Sequence, residues 1–206
     1  IPPPPSLSRL RMPAFAPDSS ALAFVSYGAA LSPPAPSGLL VSTFGTSSRL
    51  LLSPTGLFPA WSPDGTALAF SNPNLTLSDF SSDSSTALTP FQTYSPSWSP
   101  NGSSIAFAAY FQDPQGSRAI WLIHPDGTQL ADISSHGMGE WLTPCWDPDG
   151  VAIVHARYTA GSAFSQIYVM HSDGTGARRL TFSGDLDYDP KWSPDSSSIA
   201  FVRQRP

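Results

Sequence analysis

Pro59-Ala-Trp-Ser-Pro-Asp-Gly-Thr-Ala-Leu-Ala-Phe70 has four companions in the chain. They are Pro13-Ala-Phe-Ala-Pro-Asp-Ser-Ser-Ala-Leu-Ala-Phe24 and Pro96-Ser-Trp-Ser-Pro-Asn-Gly-Ser-Ser-Ile-Ala-Phe107, then Pro144-Cys-Trp-Asp-Pro-Asp-Gly-Val-Ala-Ile-Val-His155 and Pro190-Lys-Trp-Ser-Pro-Asp-Ser-Ser-Ser-Ile-Ala-Phe201. Successive leading prolines lie 46, 37, 48 and 46 residues apart. That period, roughly 40–50 residues, is the length of one four-stranded propeller blade.

The chemistry inside the motif supports the same reading. In Pro-Asp-Gly the proline pre-sets φ, the aspartate bonds back to the backbone, and the glycine accepts φ > 0. Short apolar runs such as Ala67–Phe70 and Ser104–Phe107 follow as strands. Third and fourth strands come next, as in Gln166–Met170 and Arg178–Thr181 around the turn His171-Ser-Asp-Gly174. The aromatic before each turn (Phe15, Trp61, Trp98, Trp146, Trp192) repeats at one position, which predicts a packed layer between blades. The expected fold class is all-β, a propeller of four-stranded antiparallel blades. Residues 1–12 form a proline-rich arm and 13–206 the propeller, with blades near 13–58, 59–95, 96–143 and 144–189 and a partial one at 190–206.

The run Asp187-Tyr-Asp-Pro-Lys-Trp-Ser-Pro-Asp195, preceded by Ile167-Tyr-Val-Met170, resembles the TolB-type, WD-repeat-like propeller repeat. The resemblance implies the fold over about residues 7–204. It leaves function open, because the family includes periplasmic TolB, the propellers of prolyl oligopeptidase-like enzymes, and other exported proteins. The departures are Ser19 and Ser196 for Gly, Phe15 for Trp and His155 for Phe.

Five motifs supply four blades and one half. The N-terminal stretch Leu7–Arg11 resembles a fourth strand, so closure of the fifth blade in cis is one expectation. The alternatives are a piece of a longer propeller, or addition of the arm Ile1–Pro5 to a neighbouring chain.

Composition removes several classes. The formal net charge is −5 and Lys191 is the sole lysine, so the basic face of a nucleic-acid binder is missing. No apolar run reaches the ~18 residues of a membrane span. The single cysteine, Cys145, forms no intramolecular disulfide and reads as a packed residue. No Gly-x-Ser-x-Gly elbow occurs, and no cofactor is expected.

His124, His136, His155 and His171 lack the close spacing of a zinc site. Asp185, Asp187 and Asp189 alternate in a loop and are the weak Ca²⁺ candidate; a turn glycine and a distant bidentate glutamate are missing, which favours a structural role. Asn74 and Asn101 head glycosylation sequons, and Ser32–Ser37 resembles an extracellular segment. The expected function is a non-catalytic, extracellular or periplasmic protein-binding scaffold. The alternatives are a glycosylated, self-assembling filament subunit and the regulatory propeller of a larger peptidase.

Overall fold

The computed structural model describes residues 9–27, 37–45, 49–110, 118–134, 141–158, 162 and 164–205. His136 and the arm up to Ser8 lie outside this set, as does all of the 32–37 stretch except Ser37. Blade one comprises β1 (Arg9–Phe15), β2 (Ala21–Tyr27), β3 (Gly38–Thr43) and β4 (Arg49–Ser53). Blade two uses β5 (Leu57–Trp61), β6 (Ala67–Asn72), β7 (Asn74–Asp79) and the first part of β8 (Ser84–Trp98). The rest of β8 opens blade three, followed by β9 (Ile105–Tyr110), β10 (Arg118–Ile123) and β11 (Ala131–Asp132). Blade four holds β12 (Trp141–Trp146), β13 (Ala152–Tyr158), β14 (Ser165–His171) and β15 (Arg178–Arg179). A two-stranded sheet of β16 (Leu186–Trp192) and β17 (Ile199–Gln204) ends the order.

The short 37-residue step has a structural cause. β8 pairs with β7 through Ser84–Gln92 and with β9 through Thr93–Trp98, so one unbroken strand serves two blades. No separate crossing loop is needed there.

Each leading proline sits on the innermost strand, two residues before that strand's end. Proline cannot donate to the ladder, so the register breaks at that point. The breaks fall between Arg11 and Ala14, Leu57 and Ala60, Tyr94 and Ser97, Leu142 and Cys145, and Tyr188 and Lys191. The residue before each proline takes positive φ: Met12 at 55°, Phe58 at 55°, Ser95 at 50°, Thr143 at 48° and Asp189 at 52°. Five repeats of one strained bulge make it a designed feature of the blade.

The motif turn closes as its residues predict. In the second copy Ser62 Oγ donates to Asp64 Oδ1 at 2.6 Å, the Thr66 amide donates to the same oxygen at 3.0 Å, and the Ala67 amide donates to Ser62 Oγ at 2.9 Å. Asp147 replaces that serine in the fourth copy and accepts from the Val151 and Ala152 amides. Ser19 and Ser196 still adopt the positive φ that glycine takes elsewhere, at 59° and 56°.

Apolar clusters mark the seams between blades. Phe70 and Leu68 pack with Val25 and Leu39, then Ala69 and Leu75 with Ile105 and Phe107. Ile120 meets Ile153 and Met170, and Val154 and Ile167 meet Trp192 and Ile199. The motif tryptophans belong to these layers, as expected. Trp61 Nε1–H donates across the first seam to the Ala14 carbonyl at 3.0 Å, and Trp98 repeats the bond to Ala60 at 3.0 Å. Phe15, in the first copy, is 63% exposed and stacks on Phe44 at 6.2 Å. At the third seam the backbone passes so closely that a Cβ on Gly174 would sit 1.9 Å from the Ile133 carbonyl oxygen.

One expectation is overturned. Arg9, Leu10 and Arg11 do not complete the fifth blade; they pair with Tyr27, Ser26 and Val25 as the innermost strand of blade one. The physical reason is chain length. Leu10 lies only three residues from Pro13, too short to cross from the outside of one blade to the centre of the next. Within the described residues β17 pairs with β16 alone.

Candidate functional site

An up-and-down meander places its turns on two opposite faces. Turns after the first and third strands of each blade share one face; turns after the second strands and the crossings between blades share the other.

The first face is acidic. Asp18, Asp64, Asp79, Asp126, Asp173 and Asp195 each accept hydrogen bonds from a serine or threonine two residues on. Those side-chain and backbone donors hold every one of these carboxyls below the ordinary value, Asp195 at about 2. Their oxygens are used inside the turns, so the chemistry of this face is repeated local structure.

The second face carries a different arrangement. A cleft of about 310 Å³ opens between blades two and three, with Thr55, Phe58, Asn72, Gln92 and Tyr94 on its walls. Three elements position it. Phe58 sits at the bulge of β5, and Tyr94 directly precedes the bulge residue Ser95 in β8. Asn72 ends β6 and accepts a hydrogen bond from Thr55 Oγ1.

The aromatic wall continues outward. Phe58 meets Tyr94 edge-on at 6.3 Å, and Tyr94 meets Tyr110 at 5.9 Å and 79°. The Arg118 guanidinium lies 4.7 Å from the Tyr94 ring centre and 4.8 Å from that of Tyr110, and donates to the Tyr110 hydroxyl at 2.8 Å. Tyr110 and Arg118 face each other in the β9–β10 register, which is why the pair meets. Burial raises the Tyr94 hydroxyl above its ordinary value, Tyr110 adds to the effect and Arg118 opposes it. The phenol is therefore neutral at physiological pH. Half-buried tyrosine rings, a stacked guanidinium and side-chain amides form a surface suited to recognition.

The sequence-predicted residues fall elsewhere. Asp187 is buried and takes two bonds from Arg203, at 2.7 and 2.9 Å. Asp185 lies 3.6 Å from the same guanidinium, and Asp189 faces Lys191 at 3.2 Å. The three carboxylates do not converge, and among the described residues no three His, Cys, Asp or Glu side chains group around a common metal position. An arginine occupies the place a cation would take.

His124 and His171 use their backbone amides in equivalent turns, bonding Thr128 and Thr175 carbonyls. His155 is fully buried beside Tyr168, with rings stacked at 5.8 Å. Cys145 packs in the seam behind Trp192. Asn74 starts β7 half-buried, whereas Asn101 is exposed in the third motif turn. The Phe58–Tyr94–Tyr110–Arg118 group escaped the sequence reading. Its one signal is the tyrosine that ends the second strand in three blades, Tyr27, Tyr110 and Tyr158.

The family model of the TolB beta propeller domain matches residues 37–206. The chain belongs to the TolB β-propeller family. An uncharacterised protein of Agrobacterium fabrum is 28% identical over 182 residues, covering 82% of this chain and 61% of its own length. A TolB homolog of Chlorobium luteolum is 33% identical over 136 residues, covering 47% of this chain and 31% of that protein. The chain thus spans less than two thirds of either relative. The crystal structure of TolB from Acinetobacter baumannii superposes with a TM-score of 0.71 at 26% identity, over 91% of this chain and 48% of that one.

Proposed function

We propose that this propeller is a non-catalytic, periplasmic protein-binding module that engages its partner through the face bearing Phe58, Tyr94, Tyr110 and Arg118. The observation that carries the reading is this aromatic–guanidinium cluster beside a preformed cleft, on a face built from loops. Tyrosine and arginine dominate interface hot spots because they bury large area with few rotamers lost. Loops on a rigid scaffold are where recognition concentrates. The family supports the periplasmic location, and proteins named TolB are among its relatives.

A photo-crosslinking residue placed at Tyr94, with another at Thr66 on the opposite face as control, tests it in periplasmic extract. A discrete adduct from position 94 alone is expected. Tyr94→Ala should then weaken binding of the recovered partner by tenfold or more, about 1.4 kcal/mol. Equal crosslinking from both faces, or unchanged affinity in the variant, would sink the proposal.

A further inference from the structure

Four motif turns carry aspartate after the proline: Asp18, Asp64, Asp149 and Asp195. The third carries Asn101, followed by Gly102. The turn around Asn101 is nonetheless built like the others. Its Oδ1 accepts from Ser99 Oγ at 2.8 Å, from the Ser103 amide at 3.0 Å and from Ser103 Oγ at 2.8 Å. Asp64 and Asp195 take the same set from Ser62 and Thr66, and from Ser193 and Ser197. All three donors point at one oxygen, so the turn is arranged for an acceptor-only group. A carboxylate meets that demand with charge-assisted bonds, whereas an amide offers a neutral carbonyl.

The same three donors polarise the Asn101 side-chain carbonyl and make Cγ more electrophilic, in the manner of an oxyanion hole. The next backbone nitrogen belongs to glycine, which places no side chain in the way. Asn101 is exposed, so water reaches it.

The other two asparagines are blocked. Asn72 precedes Pro73, whose nitrogen carries no hydrogen. Asn74 precedes Leu75, whose amide is buried against Thr89 Oγ1 at 3.0 Å.

We infer that Asn101 is a site of spontaneous deamidation, and that its aspartyl product is the form this turn is built to hold. The Gly102 nitrogen attacks Asn101 Cγ and loses its proton; the C–N bond of the side-chain amide breaks and ammonia leaves. Water then opens the succinimide: breaking the Gly102 N–Cγ bond gives aspartate, and breaking the bond from Gly102 N to the Asn101 main-chain carbonyl carbon gives isoaspartate. The Gly102 amide normally donates to the Ser99 carbonyl at 2.9 Å, so attack waits on a local opening of the turn. Conversion adds one negative charge to a cleft that already holds Asp64 and Asp79, on the face opposite the proposed binding surface. It also removes the nitrogen to which a glycan at Asn101 would attach.

The native protein, held at 37 °C and mildly alkaline pH, is followed by intact mass and peptide mapping, beside a sample unfolded in urea. Expected is a single deamidation at Asn101 in the folded protein, giving aspartyl and isoaspartyl products that peptide mapping separates, with Asn72 and Asn74 unchanged. Asn101→Asp should melt at the same temperature as the parent or higher. The inference fails if the folded protein keeps its Asn101 amide while the urea sample loses it, if Asn74 converts first, or if Asn101→Asp melts lower.

Discussion

His155 stands where four sister motifs carry phenylalanine, and the fold treats it as one. Burial drives its value down from 6.5 to about 3, with Arg157 adding to the effect and the Ala156 carbonyl opposing it. The sign of the consequence is fixed by linkage. Above 6.5 the imidazole is neutral in both states. Between 6.5 and about 3 the unfolded chain binds a proton that the folded chain refuses, so stability falls as pH falls, by about 1.4 kcal/mol per unit. His155→Phe is expected to melt higher in urea than the parent. It should also lose most of the pH dependence between 6.5 and 4.5, a window above the carboxylate titrations. An unchanged slope would show that the proton is taken up elsewhere.

At the scale of the strand and its turn, the motif tryptophan does two jobs. Every copy fills a seam, but only Trp61 and Trp98 have a bonded indole nitrogen; those of Trp146 and Trp192 are buried without a hydrogen-bond partner. Replacing each by phenylalanine removes similar volume, so the difference between the pairs isolates the bond. Trp61→Phe and Trp98→Phe leave a carbonyl unsatisfied at the seam, a loss of about 1–3 kcal/mol beyond the packing change. Trp146→Phe and Trp192→Phe should cost only the packing change. Equilibrium urea melts of the four variants check this, and four equal losses would refute the tether.

At the scale of the whole molecule, β16 and β17 form the smallest sheet among the described residues. An isolated two-stranded sheet is marginal, and β16–β17 relies on the layer at Trp192 and on Asp187. Arg203 holds the buried Asp187 carboxyl below its ordinary 3.8, mainly through their hydrogen bonds, against the opposing effect of burial. Ser165 Oγ grips the Asp187 carbonyl at 2.6 Å, and the Gln166 amide reaches the Ser183 and Asp185 carbonyls. A depressed carboxyl stabilises fully above the unfolded value of 3.8 and loses that contribution as pH falls through the folded value. Arg203 is 37% exposed, so solvent screening weakens the ion pair. Hydrogen exchange should show β17 amides losing protection as pH is lowered below 3.8 while β9 amides keep theirs. Asp187→Asn should produce the same selective loss at pH 6. Simultaneous loss in both strands would mean that the last two strands unfold only with the rest.

Sequence alone determined the blades, their turns and the aromatic seams. These rest on short-range rules: proline fixes φ, aspartate bonds two residues on, and a period-two apolar strand must bury its face. The displaced register at each leading proline was legible in principle for the same reason. Tertiary structure decided the rest. Arg9–Arg11 looked like an outer strand by pattern but became an inner one, because pairing depends on where the neighbouring strand lies. The run of β8 through two blades is a fact of spatial continuity that the 37-residue step only hinted at. Phe58, Tyr94, Tyr110 and Arg118 are ordinary residues on four strands, and their meeting is a product of packing between blades. The Asp185–Asp187–Asp189 run read in sequence as structural before it read as a weak Ca²⁺ candidate, but its partner Arg203, sixteen residues beyond Asp187, was visible only in the fold. Local chemistry writes the repeat, whereas long-range proximity writes the site, because a functional surface is assembled from residues that constrain one another only after folding.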